Sequence, residues 1–158
     1  MRILGIDPGT ATTGFGVITK NKGVLTAVDY GVISTSKNLD MHLRLNIIFQ
    51  DITELINYHK PDIIAVEKLF FVKNITTGIS VGQARGVVLL TAAQANLTLI
   101  EFTPLQVKQA VTGYGQASKK QIQEMVTKIL KLPSLPQPDD AADALAIAIC
   151  ASSQRFKK

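Results

Sequence analysis

The chain opens on an apolar run, Arg2-Ile3-Leu4-Gly5-Ile6, which Asp7-Pro8-Gly9 breaks with turn chemistry. This predicts a buried strand over 2–6. Residues 14–20 and 24–34 read as two further strands joined by a hairpin-like Asn21-Lys22-Gly23. From Asp40 to His59 the period turns helical. Met41, Leu45, Ile48, Ile52 and Leu55 recur at spacings of four and three, with Asp40 as N-cap. Residues 62–66 are apolar on both faces, as in a central strand covered by helices. Residues 75–95 predict a helix despite three glycines. Its small residues Gly78, Gly82, Ala84 and Gly86 point to close packing. A fifth strand follows over 97–102. Pro104 opens a helix that fades at Gly113-Tyr114-Gly115, and Ser118 caps another running to Lys131. After a connector from Pro133 to Pro138, a last helix runs from near Asp139 to about Ser152. The order β-β-β-α-β-α-β-α-α-α predicts an α/β fold with one mixed five-stranded sheet flanked by helices. No linker or repeat divides it, so one domain over 1–158 is expected.

Four carboxylates interrupt this pattern. Asp7 ends the first strand, where open α/β sheets place their chemistry, although Asp-Pro-Gly is also ordinary turn punctuation. Glu67 ends the run Ile63-Ile64-Ala65-Val66 and is followed by Leu69-Phe70-Phe71. Asp140 and Asp143 are three apart on the last helix and share a face, which small Ala141 and Ala142 would let approach a sheet. Acids there also suit the helix dipole, and Asp139 reads as the cap. Buried carboxylates are costly unless paired, and four together would raise one another's pKa. Hard divalent cations would resolve this, and oxygen-only ligands suit Mg²⁺ or Mn²⁺. Two such ions clamp the attacking and leaving oxygens of a phosphodiester. A metal-dependent nuclease is the expected chemistry.

Composition narrows the setting. The chain is 46% hydrophobic, which excludes a disordered segment, and no apolar run reaches the ~20 residues of a membrane helix. The N-terminus has no signal-peptide pattern. The single Cys150 excludes an internal disulfide or a cysteine-based zinc site; it fits a reducing cytoplasm, and its apolar neighbours suggest a buried thiol. Lys and Arg total 17 against 12 acids, a formal +5. This favours an anionic partner, although ordinary solubility charge explains it equally well.

Four stretches together resemble the RuvC family of Holliday-junction resolvases, which have a ribonuclease H-like fold. They are Ile3-Leu4-Gly5-Ile6-Asp7-Pro8-Gly9, Ala65-Val66-Glu67 with Phe70, Gly82-Gln83-Ala84-Arg85-Gly86, and Asp140-Ala141-Ala142-Asp143-Ala144-Leu145-Ala146. Val107-Lys108-Gln109 adds to them. The matches run in the family's order over nearly the whole chain. Many members carry a longer basic tail than this one, which bears on DNA binding and not on the chemistry.

The resemblance implies that Asp7, Glu67, Asp140 and Asp143 hold two Mg²⁺ ions per subunit, with Mn²⁺ able to substitute. It implies that Lys108 and Lys119 lie near the cleaved phosphate, where a lysine stabilises developing charge. Lys120 adjoins Lys119, so that role could fall on either. Phe70 matches an aromatic used against bases at the junction centre, where stacking is worth ~1–3 kcal/mol per base; Phe71 competes for the role. Gln83 and Arg85 are expected to face the DNA, with Arg85 on a phosphate. The implied substrate is a four-way DNA junction nicked symmetrically by a homodimer, in cooperation with the RuvA–RuvB branch-migration machinery. His42 and His59 have nothing to recommend them as ligands.

Two rival readings belong to other classes. Gly5-Ile6-Asp7-Pro8-Gly9-Thr10 followed by Gly14-Phe15-Gly16 resembles the first phosphate loop of actin-like ATPases. No second such loop or adenosine pocket is apparent. A structural DNA-binding protein that cuts nothing would leave Glu67, Asp140 and Asp143 unexplained near a polyanion.

Overall fold

The computed structural model describes residues 1–69 and 75–154. Its strands are β1 (Arg2–Asp7), β2 (Thr12–Asn21), β3 (Val24–Ser34), β4 (Ile63–Glu67) and β5 (Thr98–Phe102). Its helices are α1 (Met41–His59), α2 (Ile75–Gln94), α3 (Pro104–Thr112), α4 (Lys119–Leu130) and α5 (Asp139–Ser152). The order matches the hydrophobic pattern element for element, with boundaries moved by a residue or two.

The strands form one sheet in the order β3-β2-β1-β4-β5. β1–β2 and β2–β3 pair antiparallel, whereas β1–β4 and β4–β5 pair parallel. The first hairpin turns at Lys22 and Gly23, both at positive φ, as a tight two-residue connection requires. Parallel pairing of β1 with β4 brings their carboxyl ends, Asp7 and Glu67, to the same edge of the sheet.

Strand alternation divides the core into two layers. Leu4, Ile6, Val17, Ile64 and Val66 face α1 and α2 with Ile48, Ile52 and Val88. Ile3, Ile18 and Ala65 face the other way, towards α3, α4 and α5. Two capping boxes fix the helices on that side. Thr103 and Gln106 close the start of α3, and Ser118 and Gln121 that of α4. Asp40 precedes α1 but makes no side-chain cap bond.

Helix α5 lies between the sheet and the α3–α4 pair, and is buried on nearly every side. Its approach to the sheet depends on three strand glycines on one face. A Cβ at Gly5 would sit 2.2 Å from the Ala144 carbonyl oxygen, one at Gly14 2.0 Å from that of Asp140, and one at Gly16 2.8 Å from the Leu145 nitrogen. The sequence reading assigned this closeness to Ala141 and Ala142. The structure shows that the strands vacate the space as well. Gly14 pairs directly with Asp7 in the β1–β2 ladder, so the deepest part of this groove sets the start of α5 beside Asp7.

Candidate metal centre and nuclease site

Asp7, Asp140 and Asp143 each place a carboxylate oxygen within 4.8 Å of the others. Glu67 lies beside this cluster: it and Asp7 line a cavity of about 280 Å³ with Asp143, Lys108 and Lys119. Asp7 and Glu67 reach this cavity from neighbouring strand ends, Asp143 from the N-terminal part of α5, and the lysines from α3 and α4.

The electrostatics show what the cluster lacks. Burial, followed by Asp143, Glu67 and Asp140, pushes the Asp7 carboxyl up to about 8 against the pull of Lys119. Burial and Asp143 push Glu67 up to about 7, with Lys108 opposing. Asp143 is raised chiefly by burial and held back by Lys119. A half-buried set of carboxylate oxygens, in which burial and then neighbouring acids delay the ionisation of Asp7 and Glu67, fits hard divalent cations, which would compensate that charge.

Lys119 supplies positive charge from the protein itself. Its Nζ lies 2.6 Å from Asp139 Oδ2 and 3.1 Å from Asp143 Oδ2. Burial works against the ammonium, but the bonds to these two carboxylates hold its pKa above the ordinary lysine value. Of the two adjacent lysines, both exposed, Lys119 lines the cavity and Lys120 does not. The structure corrects the reading of Asp139 as a helix cap. The N-cap is Pro138, without a side-chain bond, and Asp139 is a partner of Lys119.

A testable consequence concerns the metal-free protein. Ordinary carboxyls titrate near 4, so Asp7 and Glu67 hold their protons more tightly folded than unfolded. Such groups contribute stability that is present at low pH and lost as pH rises through about 7 and 8. In chelator, the melting temperature is expected to fall by several degrees between roughly pH 5 and 9, and added Mg²⁺ to restore it. Asp7→Asn should flatten the slope. Thermal melts across pH with and without Mg²⁺ check this; a flat wild-type profile would show that the cluster carries no such strain.

The model of the family described as "Crossover junction endodeoxyribonuclease RuvC" matches residues 3–151. The chain belongs to this family. A RuvC from Syntrophomonas wolfei is 57% identical over 150 residues, covering 95% of this chain and 87% of the relative. The Thermus thermophilus RuvC structure superposes with a TM-score of 0.88 at 35% identity, covering 96% of this chain and 93% of that one. The T. thermophilus RuvC in complex with a Holliday junction substrate gives 0.88 at 32% identity, with the same coverage. The fold is therefore ribonuclease H-like, with a five-stranded mixed sheet flanked by helices. These comparisons support the RuvC reading and not the nucleotide-binding or non-catalytic alternatives.

The remaining RuvC-derived expectations fare differently. Lys108 lines the cavity. Phe70 and Phe71 lie outside the described residues. Arg85 is largely buried, with Nε donating to the Glu67 backbone carbonyl at 3.3 Å and Nη2 paired with Glu101. Gln83 is exposed, but within an apolar stripe of α2. Glu101 was not singled out in the sequence, where it is one acid inside an ordinary strand. The Gly14-Phe15-Gly16 repeat that suggested a phosphate loop serves α5 instead. The Gly9 amide in the preceding turn donates to Thr13 Oγ1 at 3.4 Å.

His59 Nε2 lies 3.0 Å from Asp29 Oδ2, and its ring packs against Tyr58. Cys150 is buried, its thiol pushed up to about 11 by burial. Among the described residues, no helix is long and apolar enough to cross a membrane.

Proposed function

We propose that the chain resolves four-way DNA junctions as a homodimer. Each subunit hydrolyses one phosphodiester with two Mg²⁺ ions at Asp7, Glu67, Asp140 and Asp143, and Mn²⁺ serves in their place. The observation that carries this reading is the cluster of Asp7, Asp140 and Asp143 beside a cavity that Asp7, Asp143 and Glu67 line, within a RuvC fold. Bound ions would supply an acidified water and neutralise charge on the phosphate. The protein's own part is distributed. Asp7 and Glu67 fix one side of the site from strand ends, and Asp140 and Asp143 the other from a helix locked into the glycine groove. Lys108 and Lys119 place positive charge where the phosphate and leaving oxygen would sit. Substrate DNA follows from family membership and from the relative bound to a Holliday junction. Cooperation with RuvA–RuvB and a cytoplasmic setting rest on family membership alone.

The dimer has support of its own on α2. Ile79, Gln83, Gly86, Leu90 and Ala93 are exposed at alternating spacings of four and three, the seam pattern of paired helices. Ile79 is 60% and Leu90 54% exposed. A Cβ at Gly86 would meet nothing within 4 Å, so a second helix has room for close approach there. Paired nicks on a two-fold junction call for a two-fold enzyme, and an α2–α2 seam supplies one. Leu90→Asp buries an unpaired charge in that seam and is expected to weaken the dimer by about 3 kcal/mol, roughly a hundredfold. Sedimentation should show monomers, and nicks should become single and unpaired. A Leu90→Asp protein that remains dimeric would remove α2 as the interface.

A further inference from the structure

We infer that Arg85 is a positioning residue that, with Glu101, holds the strand end carrying Glu67 in register for metal binding. This rests on the reading of Glu67 as a ligand and assigns how it is held. Glu67 is the last residue of β4, and its peptide is gripped on both sides. The Lys68 amide donates to the Phe102 carbonyl at 2.7 Å, and the Glu67 carbonyl accepts from Arg85 Nε at 3.3 Å. The same guanidinium pairs with Glu101, which sits opposite Val66 in the β4–β5 ladder. Strand alternation turns Glu101 and Val66 towards α2 and the Glu67 carboxylate towards α5. Arg85 therefore grips the strand end from behind the site, tying α2, β4 and β5 at one point.

The effect is geometric and not a matter of charge. The charges that move the Glu67 carboxyl are those of Asp143 and Lys108, and the Arg85 charge is met by Glu101. The clamp is needed because the Glu67 carboxylate is repelled by Asp143 and Asp7, so a loose strand end would swing away until cations arrive. Arginine suits the task. Its planar fork reaches a carbonyl and a carboxylate at once, which a lysine ammonium does less well.

The test uses Arg85→Lys and Glu101→Gln, with Val88→Ala as a comparator buried on the same helix. Mn²⁺ binding to the DNA-free protein is titrated by electron paramagnetic resonance. Affinity for a labelled four-way junction is measured by anisotropy across salt, and melting temperature is recorded for each protein. Both variants are expected to bind Mn²⁺ about tenfold or more weakly, the scale seen when partners that orient metal ligands are lost. They should keep wild-type junction affinity and salt slope. Val88→Ala should lose stability yet keep its Mn²⁺ affinity. Equal Mn²⁺ weakening in Val88→Ala at a similar melting temperature would overturn the clamp in favour of general loosening. Lost junction affinity with a flatter salt slope and intact Mn²⁺ binding would make Arg85 a phosphate contact after all. Wild-type protein that binds no Mn²⁺ would overturn the site itself, and the clamp with it.

Discussion

Asp7→Asn is expected to reduce junction cleavage by at least about a thousandfold, the scale of losing several kcal/mol of charge stabilisation at the reacting phosphate. Asp7 is where the site's components meet. It ends the central parallel pair, lies opposite Gly14 in the ladder, and shares a 4.8 Å cluster with Asp140 and Asp143. An amide keeps the volume but removes one of the charges that would hold the cations. Junction binding should survive or tighten, because the variant removes negative charge from a surface facing a polyanion. The metal-free fold should gain stability at alkaline pH. Single-turnover cleavage, anisotropy and melting on one preparation check all three. Near-wild-type cleavage would remove Asp7 from the ligand set.

Lys119→Ala is the second large effect, at roughly a hundred- to a thousandfold in the rate at saturating enzyme, with little change in affinity. The Lys119 ammonium rests between Asp139 and Asp143. Cations on the cluster would balance Asp143 and leave Lys119 facing a phosphate in the cavity both residues line. Lys120→Ala, an exposed neighbour outside that cavity, should cut nearly as wild type. A Lys119→Ala defect confined to affinity would make it a docking lysine and shift the chemical role to Lys108.

The hydrophobic pattern gave the element order because each strand and helix buries a face whose period shows in the chain. Asp7 and Glu67 were legible for a related reason: an acid closing an apolar strand is a local conflict that a functional site explains. What was not legible has a different cause. The pairing of Arg85 with Glu101 was missed because Glu101 lies on β5 and no local pattern links the two. Asp139 looked like a cap because its partner, Lys119, arrives from another helix. Gly14 and Gly16 looked like a phosphate loop because glycine reports a close approach without naming what approaches. Pairings across elements depend on packing, which periodicity along one element does not encode.

The central claim is that the four carboxylates act with divalent metal to cut a junction at paired positions. The direct measurement is cleavage of a synthetic mobile four-way junction, with each strand labelled in turn and products mapped to the nucleotide in Mg²⁺, Mn²⁺, Ca²⁺ and chelator. The account predicts nicks at symmetric positions on two opposed strands in Mg²⁺ or Mn²⁺, little cutting in Ca²⁺, whose looser coordination misplaces the reacting oxygens, and none in chelator. Nicking that persists in chelator, or a junction left whole in every metal, would contradict it.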